Sequence, residues 1–225
     1  MLAVAYRNIV GAATGSMEGA SGIGSENRSN FDRRLRHRKQ RDAAKSLLRD
    51  LLEREVGCRA SAWQLTENAD GKPILVTSKG PSGIDVSMSH SGWLAAAAIT
   101  DLGAIGVDIE FRDPARPISE IAAYAFGPQE KQAVQCGGVA DFYRIWTLRE
   151  ALAKAHGIGF PMLADGRDYF AAAPATGIWQ SHIDGRRWFF AADELRGDYA
   201  IGVAIAPKES ASANCLADLA IRKFD

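Results

Sequence analysis

Two carboxylates two residues apart, Asp108 and Glu110 in Gly106-Val107-Asp108-Ile109-Glu110, are the sharpest chemical feature of the sequence. In an extended strand side chains alternate, so both acids share one face while Val107 and Ile109 point the other way. Adjacent carboxylates repel and desolvate badly unless a cation joins them, and oxygen ligation with room for water and phosphate is what Mg2+ prefers. The pattern points to magnesium with a phosphate-bearing substrate; the competing reading is a strand end whose acids face water. Trp146, Glu150 and Lys154 are spaced by four in the run Trp146-Thr147-Leu148-Arg149-Glu150-Ala151-Leu152-Ala153-Lys154 and share one helix face. Against the acidic strand, Glu150 can complete the carboxylate set or take a proton, and Lys154 can hold a phosphate oxygen. Alone, they are an i,i+4 pair on a solvated face.

Ser87-Met88-Ser89-His90-Ser91-Gly92 places hydroxyl residues around a histidine, and the flanking patterns set it in a loop between strands, where binding groups gather. His90 can donate to a phosphate, or be a hydrogen-bonded turn histidine. A serine nucleophile is disfavoured, since no GxSxG elbow is present and neighbours in sequence do not reach each other as a triad requires. Arg33, Arg34, Arg36, Arg38, Lys39, Arg41, Lys45 and Arg49 form a basic run in which Asp42 is the one acid within 33–49. Such a run suits a phosphate clamp, a nucleic acid, an acidic protein or plain solvation, and without interleaved aromatics it does not suit single-strand stacking. Lys72 in Gly71-Lys72-Pro73 adds a cation in a rigid turn, able to meet a phosphate or simply solvated.

The elements that must position these residues follow from periodicity. Residues 2–10 read as a strand and the Gly/Ser-rich stretch 11–30 as a loop or linker. Helical spacing of Ala44, Leu47, Leu48, Leu51 and Leu52 predicts one long helix over 31–56, closed by Gly57. After a turn at Asp70-Gly71 and Pro73, strands are expected at 84–88, 93–100 and 104–110. Short helices follow to Phe126 and to Cys136, then a third over 140–156, stopped by Gly157 and Gly159. The tail returns to strands at 178–183, 187–192 and 199–206. A long helix before a strand group in each half implies an α+β fold of two related halves, divided as 1–30, 31–102 and 103–225.

Composition sets the bounds. The 225 residues carry 27 basic against 27 acidic side chains, with 47% hydrophobic and 24% charged, the profile of an ordinary globular protein able to bury a large core. Zero net charge excludes a surface that is basic throughout, so any anion-binding role is regional. Cys58, Cys136 and Cys215 contain no CxxC pair and suggest neither a disulfide framework nor a cysteine zinc site. Arg7 interrupts the apolar start and the longest apolar run, Trp93 to Ile99, is far short of the roughly 20 residues of a membrane span. A cytoplasmic, monomeric protein is expected.

In order, the basic helix, GKP (71–73), SHS (89–91), GVDIE (106–110), WTLREALAK (146–154) and GIGF (157–160) resemble the 4′-phosphopantetheinyl transferase superfamily, and the two-half length resembles its Sfp-like, surfactin-synthetase-activating branch. The resemblance covers roughly residues 31–160. It implies a fold of two pseudo-twofold-related halves, each a small antiparallel sheet packed with helices, and the activity of a holo-[acyl-carrier-protein] synthase type enzyme. Such an enzyme moves phosphopantetheine from coenzyme A to a serine of an apo acyl carrier protein, or of a peptidyl or aryl carrier domain, and releases adenosine 3′,5′-bisphosphate. By motif, Asp108, Glu110 and Glu150 would hold Mg2+ and Glu150 would be the base. Lys154 would neutralise the pyrophosphate, and Ser89, His90, Lys72 and Lys45 would contact coenzyme A. The sequence departs from the family helix motif in having Arg149 where lysine is common. The rival readings are a Mg2+-dependent phosphodiesterase or nucleotide hydrolase using the same acids, and a non-catalytic nucleic-acid-binding module using Arg33 to Arg49.

Overall fold

A computed structural model describes residues 1–9, 25–57, 62–157, 164–209 and 221–224. The chain begins with β1 (Leu2–Asn8), the long helix α1 (Ser25–Val56), β2 (Gln64–Glu67) and β3 (Pro73–Thr77), then β4 (Gly80–Ser91) and β5 (Leu94–Thr100). It continues through β6 (Gly103–Phe111), α2 (Ile118–Ala125), α3 (Pro128–His156), β7 (Gly177–Ile183), β8 (Arg186–Leu195), β9 (Tyr199–Pro207) and β10 (Ile221–Lys223). One sheet has the order β10-β1-β5-β4-β3-β2 and the other β6-β9-β8-β7, antiparallel throughout except for the β1–β10 pair. Each half is a strand, one helix in the first half and two in the second, and a meander whose last strand returns beside the first, β5 beside β1 and β9 beside β6. The architecture is the α+β fold of two like halves that the sequence indicates.

The layers run α1, first sheet, second sheet, α3. The α1 stripe of Ala44, Leu47, Leu48, Leu51 and Leu52 is buried with Ala97 and Ile99 of β5 and Val86 of β4. Alternation turns Leu94, Ala96 and Ala98 to the opposite face, where they meet Ile105, Val107, Ile109 and Val203 of the second sheet. The far face of that sheet packs on α3 through Phe142, Ile145, Leu148 and Leu152. Two glycines let α3 lie close. A Cβ on Gly106 would overlap the carbonyl oxygen of Ala151, and one on Gly202 would sit 2.7 Å from the backbone carbon of Thr147. Gly106 of the GVDIE run is therefore required by packing, and it lowers the helix turns bearing Glu150 and Lys154 onto the acidic strand.

The two sheets join along β4 and β6 through side chains. Asp85 Oδ2 accepts from the Ile105 amide (2.7 Å), Ser87 Oγ from the Val107 amide (3.0 Å) and Ser91 Oγ from the Phe111 amide (3.0 Å). Alternation along β4 sends these residues toward β6 and sends Val86, Met88 and His90 toward α1. The Ser87–Gly92 segment, expected as a loop, is thus strand as far as Ser91. Its serines mask the strand pattern because Ser87, Ser89 and Ser91 each meet a partner on β6 across the seam.

Other differences have equally local causes. The helix expected from Phe31 starts at Ser25, so residues 25–30 are helical, and residues 10–24 lie outside the described residues, as do Cys58, Cys215 and 158–160 of the GIGF run. The helices expected to end at Cys136 and to start at Ala140 are one element, α3, kinked at Gly138 with φ 64°. The short strands β2, β3 and β10 were not indicated, and the expected Asp70-Gly71 turn is the β2–β3 hairpin. Among the described residues no helix is long and apolar enough to cross a membrane.

Gly106→Ala is expected to cost about 1–3 kcal/mol by overpacking against the α3 backbone. Urea denaturation checks it: the midpoint falls while the slope stays unchanged.

Candidate active site

Alternation on β6 turns Ala104, Gly106, Asp108 and Glu110 toward α3. Asp108 is 5% exposed. Its Oδ1 accepts from Ser89 Oγ (2.7 Å) and pairs with Lys154 Nζ (2.7 Å), while its buried Oδ2 has no hydrogen-bond partner among the described residues. Lys154 also reaches the Val107 carbonyl at 3.2 Å, which stitches the last turns of α3 to β6. Glu110 Oε2 accepts from Ser91 Oγ (2.8 Å), and its Oε1 lies 3.6 Å from Arg116. Arg116 in turn lies over the rings of Trp146 (5.0 Å) and Tyr143 (5.7 Å). The acidic pair is thus flanked by one cation on α3 and another on the loop after β6.

Burial and the neighbouring Asp108 push Glu150 up to about 7, with Glu110 adding and Lys154 and Arg116 opposing. Glu110 is raised too, by burial first and then by Asp108. Asp108 therefore makes both glutamates harder to ionise, and Glu110 adds to the effect on Glu150. Among the described residues no three His, Cys, Asp or Glu side chains form a ready-made ligand cluster. The unpartnered Oδ2 of Asp108 and the mutual repulsion nevertheless show an unmet demand for positive charge, and an all-oxygen donor set suits a hard divalent cation.

Beside the acids lies a cleft of about 350 Å3 whose lining includes Arg41, Lys45, Ser89, His90 and Lys154. Burial lowers His90, and the charge of Lys154 and then of His37 acts in the same direction. Six of the residues singled out in the sequence, Lys45, Ser89, His90, Lys154, Asp108 and Glu150, therefore meet around one cleft and its acidic wall. Lys72 is placed differently, although Gly71 and Pro73 also line the cleft. Its Nζ pairs with Asp85 (2.6 Å) and donates to the Ala155 carbonyl (3.1 Å), so it ties the β2–β3 turn to the end of α3.

Sequence reasoning missed Arg116, which no periodicity marks, and the seam roles of Asp85, Ser87 and Ser91. It also missed what Arg149 does. Arg149 and Glu130 are both 0% exposed and form an ion pair, with Arg149 Nε donating to Glu130 at 3.0 Å. Arg149 also donates to the Arg167 carbonyl and lies against the Phe126 and Tyr169 rings. Glu130 Oε1 accepts from the Tyr169 (3.0 Å) and Phe170 (2.8 Å) amides. A planar guanidinium can stack and donate in several directions at once, which an ammonium cannot match.

Residues 104–204, which contain all but the first residue of β6, all of α2, α3, β7 and β8 and most of β9, match the model of the family described as the 4′-phosphopantetheinyl transferase superfamily. The match spans 101 of the 225 residues and is a likeness of this segment to that superfamily. The chain is 30% identical over 135 residues to the 4′-phosphopantetheinyl transferase HetI of Nostoc sp., covering 57% of this chain and 56% of the relative. It is 34% identical over 116 residues to the putative 4′-phosphopantetheinyl transferase slr0495 of Synechocystis sp., covering 50% and 47%. A putative 4′-phosphopantetheinyl transferase of Haemophilus influenzae is 31% identical over 137 residues, covering 57% and 55%. The chain spans about half the length of the curated relatives it matches. The superfamily segment holds Asp108, Glu110, Glu150 and Lys154; Lys45, Lys72, Ser89 and His90 precede it.

The raised Glu150 gives a signed pH dependence. Unfolded, the carboxyl ionises near 4.5; folded, near 7, so its contribution to stability is fully present below pH 4.5 and is lost as pH rises toward and through about 7. Glu150→Gln removes that loss. In the absence of divalent cations, thermal denaturation from pH 5 to 8 is expected to show a smaller decline for Glu150→Gln than for the wild type. Equal declines exclude Glu150 as the group responsible.

Proposed function

We propose that the chain is a Mg2+-dependent 4′-phosphopantetheinyl transferase that loads a serine of an apo acyl carrier protein, or of a peptidyl or aryl carrier domain, from coenzyme A. The observation that carries this reading is geometric: Asp108 of β6 pairs with Lys154 of α3 and accepts from Ser89, beside a cleft lined by Lys45, Ser89, His90 and Lys154. Glu150 lies one helical turn before Lys154 on the same face of α3, where a carboxylate can take a hydroxyl proton. The matched superfamily segment and the names of the relatives support the same reaction class.

In this mechanism Asp108, Glu110 and Glu150 hold Mg2+, which when bound neutralises the pyrophosphate of coenzyme A as a Lewis acid. Glu150 accepts the proton of the carrier serine. The serine oxygen bonds to the pantetheine-bearing phosphorus, the bridging P–O bond breaks, and its electron pair leaves with adenosine 3′,5′-bisphosphate. Lys154, fixed by Asp108 and the Val107 carbonyl, donates to the oxygens that gain charge. Ser89 orients Asp108, and Lys45 and His90 receive phosphate oxygens in the cleft. Lys72 joins them through a remaining N–H while holding the β2–β3 turn against α3.

On this reading residues 31–102 chiefly bind coenzyme A and 103–225 supply metal and catalytic groups, after a leading segment 1–30. A cytoplasmic monomer of the Sfp-like branch suits the chemistry, and neither nucleic acid nor membrane is needed as a partner. The phosphodiesterase alternative differs in the acceptor, water instead of a protein serine.

Incubation with coenzyme A, MgCl2 and a panel of apo carrier proteins, read by intact mass, tests the proposal. The expected result is one phosphopantetheinyl addition at the carrier serine, abolished by EDTA and reduced by orders of magnitude in Asp108→Ala and Glu150→Ala. Coenzyme A hydrolysis without carrier modification would favour the phosphodiesterase. Full activity of Asp108→Ala would overturn the metal assignment.

A further inference from the structure

Arg116 belongs to none of the motifs above, yet its guanidinium faces the acidic strand, with Nη1 3.6 Å from Glu110 Oε1. A charge-assisted hydrogen bond runs about 2.7–2.9 Å, so charge alone joins the two. The guanidinium also lies over two rings of α3, Trp146 at 5.0 Å and Tyr143 at 5.7 Å. Its loop is anchored on either side. Tyr143 Oη accepts from the Asp113 amide (3.1 Å) and donates to the Asp113 carbonyl (3.2 Å), and the Ile118 amide donates to the Arg116 carbonyl (2.7 Å). Arg112, the other cation of the loop, is engaged with Glu194 at 2.7 Å. Arg116 is left as the arm of this loop that serves the acids.

The oxygens of the two β6 acids are unequally occupied. Asp108 Oδ1 takes Ser89 and Lys154, and Glu110 Oε2 takes Ser91. What remains for a hard cation is Asp108 Oδ2, which has no hydrogen-bond partner among the described residues, and Glu110 Oε1. The second of these is the oxygen that Arg116 faces. A divalent ion bonded to it is brought against the guanidinium, and at a half-buried site little water screens the repulsion of like charges. Lys154 is fastened by Asp108 and the Val107 carbonyl. Arg116 is free to give way, because its contact with Glu110 is loose and the two rings hold a guanidinium face without help from that oxygen.

We propose that Arg116 is a built-in competitor of the divalent cation: the two share Glu110 Oε1, and Arg116 thereby sets how tightly the acids hold the ion. The guanidinium partly neutralises the acids, and the ion displaces it toward Trp146 and Tyr143. This deepens the reading of the preceding subsection and rests on its metal assignment. Arg116 acts through Glu110 and takes no part in the transfer step itself.

Calorimetric titration of the full chain with MgCl2, without coenzyme A, tests it for the wild type, Arg116→Gln, Arg116→Lys and Lys79→Gln, the last an exposed control in the β3–β4 turn that removes the same charge. In Arg116→Gln the Mg2+ dissociation constant is expected to fall about tenfold, the size of one like charge taken from a partly screened pair. Arg116→Lys, which keeps the charge, and Lys79→Gln stay close to the wild-type value. Thermal denaturation gives a second readout. In EDTA, Arg116→Gln melts below the wild type because the acids lose a counter-charge, and saturating Mg2+ narrows that gap, since the variant binds the ion more tightly. A dissociation constant in Arg116→Gln equal to or above that of the wild type, or a melting gap that Mg2+ leaves unchanged, overturns the proposal. So does an equal gain in Lys79→Gln, which would make the effect one of net charge. Absence of Mg2+ binding in the wild type and Arg116→Gln alike overturns the metal assignment and this inference with it.

Discussion

β6 meets β4 through side chains instead of a backbone ladder, and the site depends on that seam. Asp85, Ser87 and Ser91 each accept from a β6 amide, and Ser89 and Ser91 each donate to one of the acids. A hydroxyl can accept or donate, which suits serine at alternate positions: Ser87 satisfies the strand edge, Ser89 aims Asp108, and Ser91 does both with the same oxygen. Asp85 extends the logic, since the oxygen that accepts from Ile105 also holds Lys72. Loss of one such side chain would leave a buried amide unpaired, a cost of about 1–3 kcal/mol.

That frame is needed because the site works against the fold. Asp108, Glu110 and Glu150 are crowded and partly buried, and each raises the cost of ionising the next. Proteins hold such groups where function requires them and compensate elsewhere. Here the compensation is a dense apolar layer between the sheets, helix-to-sheet contact permitted by Gly106 and Gly202, and the Glu130–Arg149 pair binding the front of α3 to its later turns.

What the sequence made legible was whatever repeats or lies within one element. The alternation of β6 put Asp108 and Glu110 on one face, the spacing of four put Glu150 and Lys154 on another, and the leucines of α1 outlined its buried stripe. Contacts that no periodic spacing marks were hidden. Nothing local marks Arg116 as the cation beside Glu110, or Arg149 as the partner of Glu130, nineteen positions away by the numbering. The Ser87–Ser91 stretch misled for a related reason: polar residues in a buried strand look like a loop until the groups they satisfy are seen. Short strands such as β10 offer too few residues for a period to register.

The residue beside Glu150 sharpens one last contrast. The clamp that Arg149 forms within α3 is held by shape as well as charge, a guanidinium set against the Phe126 and Tyr169 rings while donating to Glu130 and to the Arg167 carbonyl. Glu150, one position along the same helix, changes charge near neutrality. Reactivity can therefore be tuned by the medium while the backbone that presents it stays still, as a titrating electrode is mounted on an inert support.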